Sequence, residues 1–428
     1  MSSSYDVIVI GGGPAGSTIS ALLARSGRSV VVLEREKFPR FHVGESLLPY
    51  GLPILERIGV LDKVRKAGFQ EKYGAYFWNE ANGGIRPVVF ADAADDQHPM
   101  AYQVKRADFD ALLLGHAREM GAEIREQTDV REVLFENGRA VGVRAASPGG
   151  PPVELRGRVV VDATGQDAFL SRRLGTRRFD KKLKRAALFA HFENVPRPEG
   201  REAGDILLPV ENGVWYWIIP FSDGTSSVGE VFDPVEARSG PEGETLDQRF
   251  ERILQRSGRM RELLGGGRRT SPVRGISDYS ATSARFHGDG WAMIGDAAAF
   301  LDPVFSTGVF LAMATGERAA RDIERALVRH GRVDASDLAS YERYARTLFR
   351  RFRRFVYAFY DPVFFEAFCS EAPFDKIRAA VTTTLAGGVE RVPLSSKLWT
   401  AAMFFGVGFD RFRRRIGLGP KPEAAVSA

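Results

Sequence analysis

Tyr5-Asp-Val-Ile-Val-Ile-Gly-Gly-Gly-Pro-Ala-Gly16 decides the fold of this 428-residue chain. The apolar run Tyr5–Ile10 suits a parallel strand buried on both faces. Gly11, Gly13 and Gly16 follow in G-x-G-x-x-G spacing, and the stretch from Ser17 to Ser26 reads as a helix stopped at Gly27. Ser29-Val-Val-Val-Leu-Glu34 supplies a second strand. Strand, glycine turn, helix and strand in that order make a βαβ unit. Its glycines permit a tight turn and close backbone approach, and its helix N-terminus favours a pyrophosphate. Gly12 and Ala15 are expected to add backbone contacts, and Glu34 stands where a carboxylate takes a ribose hydroxyl pair. A dinucleotide is expected here.

Further along, Val159-Val-Val-Asp-Ala-Thr-Gly165 and Trp291-Ala-Met-Ile-Gly-Asp296 read as returns to the same buried sheet. No second G-x-G-x-x-G follows a strand, so a second dinucleotide domain is not expected. The middle of the chain alternates as an antiparallel sheet does, with Val214-Trp-Tyr-Trp-Ile-Ile-Pro220 at its centre. The expected class is α/β: a discontinuous Rossmann-like domain over 1–78, 101–180 and 270–333. Into it is inserted an antiparallel-sheet substrate domain over 79–100 and 181–269. A helical, basic, aromatic-rich segment over 334–428 follows.

Composition narrows the function classes. Apolar residues at 44% and charged residues at 27% exclude a disordered or fibrous chain. One cysteine, Cys369, excludes an internal disulfide or a cysteine-cluster metal site, and six scattered histidines give no metal-ligand spacing. The start lacks a basic n-region and no 18-residue apolar run occurs, so a cytoplasmic chain without a membrane span is expected. From Ser340 onward 15 Lys+Arg face 8 Asp+Glu, so this segment alone carries more than the chain's net charge of +6. Arg350, Arg351, Arg353 and Arg354 interleave with Phe349, Phe352 and Phe355, and the run from Arg411 to Arg415 repeats the theme. The pattern is that of a helix with an aromatic inner face and a basic outer one, able to attract an anionic partner. No nucleic-acid module accompanies it.

The glycine loop, Asp162-Ala-Thr-Gly165 and Gly295-Asp-Ala-Ala298 together resemble the aromatic flavoprotein monooxygenases of the p-hydroxybenzoate hydroxylase type, which implies FAD. Two further motifs, Phe38-Pro-Arg-Phe-His-Val-Gly-Glu-Ser-Leu-Leu-Pro49 and Trp215-x-Trp217-x-Ile219-Pro220, look like those of the flavin-dependent halogenases. The resemblance runs from Tyr5 to about Phe368 and is to the branch acting on phenols and pyrroles, including substrates borne on carrier proteins. It implies that reduced FAD (FADH2) and dioxygen convert chloride or bromide into hypohalous acid. Trp215 and Trp217, on one face of a period-2 strand, would keep organic substrate from the flavin. Phe69-Gln-Glu-Lys72-Tyr-Gly-Ala75 is similar to the segment holding the family's active-site lysine, so Lys72 is expected to deliver the halogen. Burial would lower its pKa and assist an N-halogenated route.

The same resemblance places Glu45 and Ser46 near the flavin and Arg106 and Asp296 on the cofactor. It puts Val309 among the backbone contacts and the halide on the amides of Thr307 and Gly308. Phe305 stands where tryptophan-type members have a glutamate, which speaks against free tryptophan as substrate. Expected partners are a separate flavin reductase and a small aromatic substrate, free or on an acidic carrier protein. Two readings compete. An aromatic monooxygenase would lack the Trp215/Trp217 plug and Lys72. A prenyl-lipid reductase at a membrane surface would use the apolar run Leu398–Phe409.

Overall fold

The computed structural model describes residues 4–93, 98–211, 213–237, 240–277, 279–370, 375–388 and 394–415. Two large sheets organise it. In the first, the strand Ser4–Ile10 lies between Val30–Leu33 and Val153–Asp162, all parallel, with Val7 opposite both Val30 and Val159. Glu123–Arg125 extends the sheet beyond Val30–Leu33, and Trp291–Met293 extends it beyond Val153–Asp162. Val7, Ile8, Val9 and Val159 to Val161 are wholly buried, as strands covered on both faces must be. The helices Pro14–Arg25, Arg106–Glu119 and Thr307–His330 pack around this sheet. The strands Asp129–Glu136 and Arg139–Ala146 join the sheet antiparallel through Val153–Asp162.

The second sheet runs Arg268–Arg269, Ala186–Glu193, Thr225–Phe232, Val214–Pro220, Ile206–Glu211, Gly74–Asn79, Gly84–Val89. All these pairings are antiparallel except Gly74–Asn79 beside Ile206–Glu211, which is parallel. Val214–Pro220 sits in the middle and is buried throughout, but its two faces serve different cores. Trp215, Trp217 and Ile219 join the main core with the parallel sheet. Val214, Tyr216 and Ile218 join a smaller core under the helices Leu246–Arg256 and Gly258–Leu264.

The extended stretch from Gln70 to Asn79 is broken at Tyr73. Gln70–Lys72 pairs with Ala101–Gln103 in a small sheet of its own, while Gly74–Asn79 enters the large one. Asp205 makes the corner: its Oδ1 accepts the N–H groups of Tyr73 at 2.7 Å and Gly74 at 2.6 Å. Those two donors are thereby taken by a side chain. This corner puts Lys72 where it is.

The C-terminal segment is helical as expected, through Ala339–Phe359, Pro362–Cys369, Asp375–Leu385 and Leu394–Arg415. Phe349, Phe352 and Phe355 face inward, while Arg350, Arg353 and Arg354 are exposed. The side chains of Phe412, Arg414 and Arg415 lie outside the described residues. Among the described residues no helix is long and apolar enough to cross a membrane.

Candidate active site

A cavity of about 950 Å³ runs from the glycine loop, across the end of the parallel sheet, to the indole face of the second sheet. Its first end is made of backbone. Gly11 has φ +99°, and a Cβ there would stand 2.6 Å from the Ala163 carbonyl oxygen. A Cβ on Gly16 would run into the carbonyl of Gly11, so the helix begins hard against its own loop. Glu34 is buried, its Oε2 accepting the Gly12 N–H at 2.7 Å and its Oε1 the Glu36 N–H at 2.9 Å. A carboxylate has lone pairs beyond these two bonds, and Glu34 lines the cavity with them.

Glycines that leave room for a pyrophosphate, a carboxylate at the second strand and a cavity of this size fit FAD. Asp296 adds to the fit. It lines the cavity half-buried, its pKa pushed up to about 6 by desolvation, with Oδ2 accepting from Gln166 Nε2 at 3.1 Å.

The loop carrying Phe38 to Pro49 crosses the cavity's middle and is pinned by Arg106. That guanidinium grips Asp110 with two bonds of 2.8 Å and donates to the Val43 carbonyl at 2.7 Å. Arg106 touches the cavity, but its donors are committed to the protein. Glu45 and Ser46 also line the cavity. Glu45 Oε1 accepts from His191 Nε2 at 2.9 Å, and its Oε2 is buried with no partner.

Lys72 is 2% exposed. Its Nζ donates to Ser46 Oγ at 2.8 Å and to the Leu47 carbonyl at 3.3 Å, and lies 5.1 Å from the centre of the Phe90 ring. Burial pulls its pKa down to about 7, opposed by the charge of Asp205. The ammonium thus meets the cavity through one hydroxyl.

Trp215 and Trp217 stand side by side, ring centres 5.7 Å apart, and both line the cavity. Trp217 Nε1 donates to Ser227 Oγ at 3.1 Å, and its ring covers Gly229, where a Cβ would overlap it. Trp215 Nε1 donates to Tyr360 Oη at 2.9 Å, and the Tyr360 hydroxyl donates to Asp302 Oδ2 at 2.9 Å. Asp302 opens the turn that leads into the helix Thr307–His330, its pKa pushed up to about 6 by burial. A residue of the C-terminal segment therefore ties the indole strand to the expected halide turn.

That turn ends at Ser306, in the left-handed region at φ +55°, with no side-chain cap on the helix Thr307–His330. The first amides of that helix are free of intrahelical partners and carry its positive dipole end, which suits an anion. Gly308 and Val309 line the cavity, and Thr307 is buried behind them.

Of the residues expected at the site, Gly11, Gly13, Ala15, Glu34, Glu45, Ser46, Arg106, Asp296, Gly308, Val309 and both tryptophans line one cavity. Gly12 and Gly16 shape its loop, and Lys72 and Thr307 stand one layer back. His191 escaped the sequence reading, and nothing in the sequence marked Tyr360 as the partner of Trp215 and Asp302. A lone histidine on an alternating strand and one aromatic among many carry no local signal.

A family profile described as the FAD binding domain matches residues 4–356. A 1H-pyrrole-2-carbonyl-[peptidyl-carrier protein] chlorinase of Pseudomonas fluorescens is 32% identical over 392 residues, covering 86% of each chain. A tryptophan 2-halogenase of Chondromyces crocatus is 32% identical over 364 residues, 84% of this chain and 68% of that one. Among solved structures, the myxobacterial chondrochloren halogenase superposes with a TM-score of 0.79 at 33% identity, over 94% of this chain and 97% of that one.

Proposed function

The chain belongs to the flavin-dependent halogenases, and from that premise we propose that Lys72 carries the halogen to an electron-rich aromatic ring, a phenol or a pyrrole. Bound reduced FAD supplies, with dioxygen, the oxidising power that turns chloride or bromide into hypohalous acid. The protein's share is to hold the halide, exclude the organic substrate from the flavin, and pass the halogen on.

The observation that carries this reading is the placement of Lys72: buried, at hydrogen-bond distance from Ser46, which lines the same cavity as the two indoles. With its pKa near 7, about half of the amine is neutral at neutral pH. A neutral Nζ can attack hypohalous acid at halogen; an N–X bond forms, the O–X bond breaks, and the proton from nitrogen leaves with the hydroxide as water. The ring then takes the halogen from nitrogen and gives up its proton. An ammonium that hydrogen-bonds the acid serves the alternative route.

Phe77, Phe305, Phe359 and Phe368 pack on one another as an aromatic cluster that includes the turn before Thr307. Phe305 offers no carboxylate, so the substrate must bring its own activating oxygen or nitrogen. The amides of Thr307 and Gly308 hold the halide, and the two indoles act as the partition.

We further propose that a separate flavin reductase supplies the reduced FAD. The ring is presented free or on an acidic carrier protein that docks on the basic face of Ala339–Phe359. The +7 balance of the C-terminal segment and the carrier-protein substrate named for the Pseudomonas fluorescens relative support the second arm. Neutralising Arg350, Arg351, Arg353 and Arg354 together is expected to slow turnover of a carrier-tethered ring and spare a free one. Equal loss for both rejects the docking face.

The test of the main reading is mass spectrometry of products. The reaction contains the protein, FAD, a flavin reductase with NADH, oxygen, bromide and a panel of free and carrier-tethered phenols and pyrroles. A bromine isotope doublet that Lys72→Ala abolishes while flavin oxidation continues is the expected result. Bromination unchanged in Lys72→Ala rejects the lysine, and a bromide-independent gain of one oxygen rejects the halogenase mechanism for this chain.

A further inference from the structure

Hypohalous acid formation consumes a proton. Reduced FAD, dioxygen, a halide ion and one proton go in; oxidised FAD, hypohalous acid and one water come out, with atoms and charge balanced. The cavity that houses this step is walled by the loop Phe38 to Pro49 and by two buried indoles, so the proton needs a route through the protein.

Three titratable side chains near the cavity's middle compete for that role. Asp296 already has its Oδ2 bonded to Gln166. His42 is pulled down to about 4 by burial and by the charge of Arg106, and its Nδ1 faces the Val43 carbonyl at 2.6 Å. Glu45 differs from both. One oxygen is bonded to His191, the other is buried, unpartnered and part of a side chain that lines the cavity. His191 in turn has 18% of its side chain in solvent.

Resting on the halogenase reading, we propose that His191 and Glu45 form the proton path between solvent and the flavin end of the cavity. His191, Nε2–H at rest, takes a proton from water at Nδ1 and passes its Nε2 proton to Glu45 Oε1; loss of the Nδ1 proton to water and reprotonation at Nε2 reset the ring. A half-turn of the carboxyl presents that proton to the cavity, and the half-turn back returns the bare oxygen to the imidazole. The histidine ring is built into its place: Phe41 lies 5.8 Å away, Phe221 stands edge-on at 5.4 Å, and its backbone N–H donates to Ser271 Oγ at 2.9 Å. The charged groups facing the pair are Arg106 beside Glu45, Arg274 stacked on Phe41, and Lys105 paired with Asp223 beside Phe221. Arg106 is itself bonded to Asp110 and Lys105 to Asp223, so the charges around Glu45 nearly balance.

The experiment uses the full chain with FAD and bromide, in wild type, His191→Gln and Glu45→Gln. Both variants are expected to slow hypobromous acid formation by about 10²-fold, the usual scale for a lost proton donor. FAD affinity of His191→Gln, measured by fluorescence quenching, is expected to stay within about threefold of wild type, and added imidazole is expected to restore much of its rate. General acids of this kind typically contribute in that range. In the FAD-free protein, nitrogen NMR is expected to find His191 as the Nε2–H tautomer. A His191→Gln enzyme as fast as wild type, a rate loss matched by lost FAD binding and deaf to imidazole, or an Nδ1–H tautomer overturns the path. A wild type that makes no brominated product overturns the halogenase reading instead, so the two failures are separable.

Discussion

The two ends of the cavity are built of different material. The nucleotide end is backbone: glycines, a helix start and one carboxylate, all within Val9 to Glu34. Apart from the amides of Thr307 and Gly308, the halogen end is side chains drawn from Ser46, Lys72, Trp215, Trp217, the turn at Asp302 and Tyr360, more than 300 residues apart in the chain. A backbone site is set by local conformation and tolerates no added atom where one stretch of backbone touches another. A side-chain site is set by long-range packing and degrades by degrees. The largest effect is therefore expected from a single methyl at the first end. Gly16→Ala pushes a Cβ into the Gly11 carbonyl, and the purified variant should carry no FAD by its visible absorbance. Gly13→Ala, whose nearest neighbour is a movable Arg40 nitrogen at 3.5 Å, is the control that should bind it more weakly. Equal FAD content in both breaks the contrast.

At the second end the strongest expected effect is Lys72→Met: product falls by about 10²-fold or more, the scale of a lost proton-handling or nucleophilic group. FAD content should be unchanged. The same variant has a stability signature. The pKa of Lys72 lies below its unfolded value, so the unfolded chain binds the extra proton between about pH 7 and 10.5. The wild type thus loses stability as pH falls from 10.5 to about 7, with no further loss from this group below that. Thermal melts should show Lys72→Met gaining on wild type across that window, with the full gain at pH 6. A flat difference rejects the depressed pKa.

The same contrast explains what the sequence made readable. The βαβ unit, its glycines and Glu34 are one contiguous segment whose spacing has few other uses, so fold and cofactor end were legible. The indoles were legible as a shared face because strand periodicity is 2, which held for Val214–Pro220. Lys72 was placed by family likeness alone. Its burial depends on the Asp205 corner, a carboxylate 133 residues downstream that nothing near Lys72 announces. His191 needed Glu45 opposite it, and Tyr360 needed both Trp215 and Asp302. Pairings of that kind exist only after the sheets have formed.

A smaller effect should come from Gly229→Ala, on the strand next to the indoles. Its methyl overlaps the Trp217 ring, which must swing off the partition at a cost of about 1–3 kcal/mol for overpacking. The share of consumed oxygen that ends as halogenated product should fall several-fold, with hydrogen peroxide making up the balance. Unchanged coupling would mean that Trp217 is core and Trp215 alone makes the partition.

The smallest effect, and the finest probe, is Tyr360→Phe. It leaves the indole N–H of Trp215 without its acceptor and Asp302 without one of its donors, for a loss of about 1–3 kcal/mol of stability. The pH dependence gives the sharper answer. Burial holds the Asp302 pKa at about 6, above its unfolded value, so the folded state binds the extra proton between about pH 4 and 6. Stability from this group is fully present below pH 4 and is lost as pH rises through 6. The Tyr360 hydroxyl favours the ionised carboxylate, and removing it should move the upper edge of that window to higher pH. Melting curves of wild type and Tyr360→Phe from pH 4 to 8 should therefore run nearly parallel at the acid end and diverge above pH 6. If they stay parallel throughout, Tyr360 is a packing residue and the C-terminal segment does not govern the charge in the halide turn.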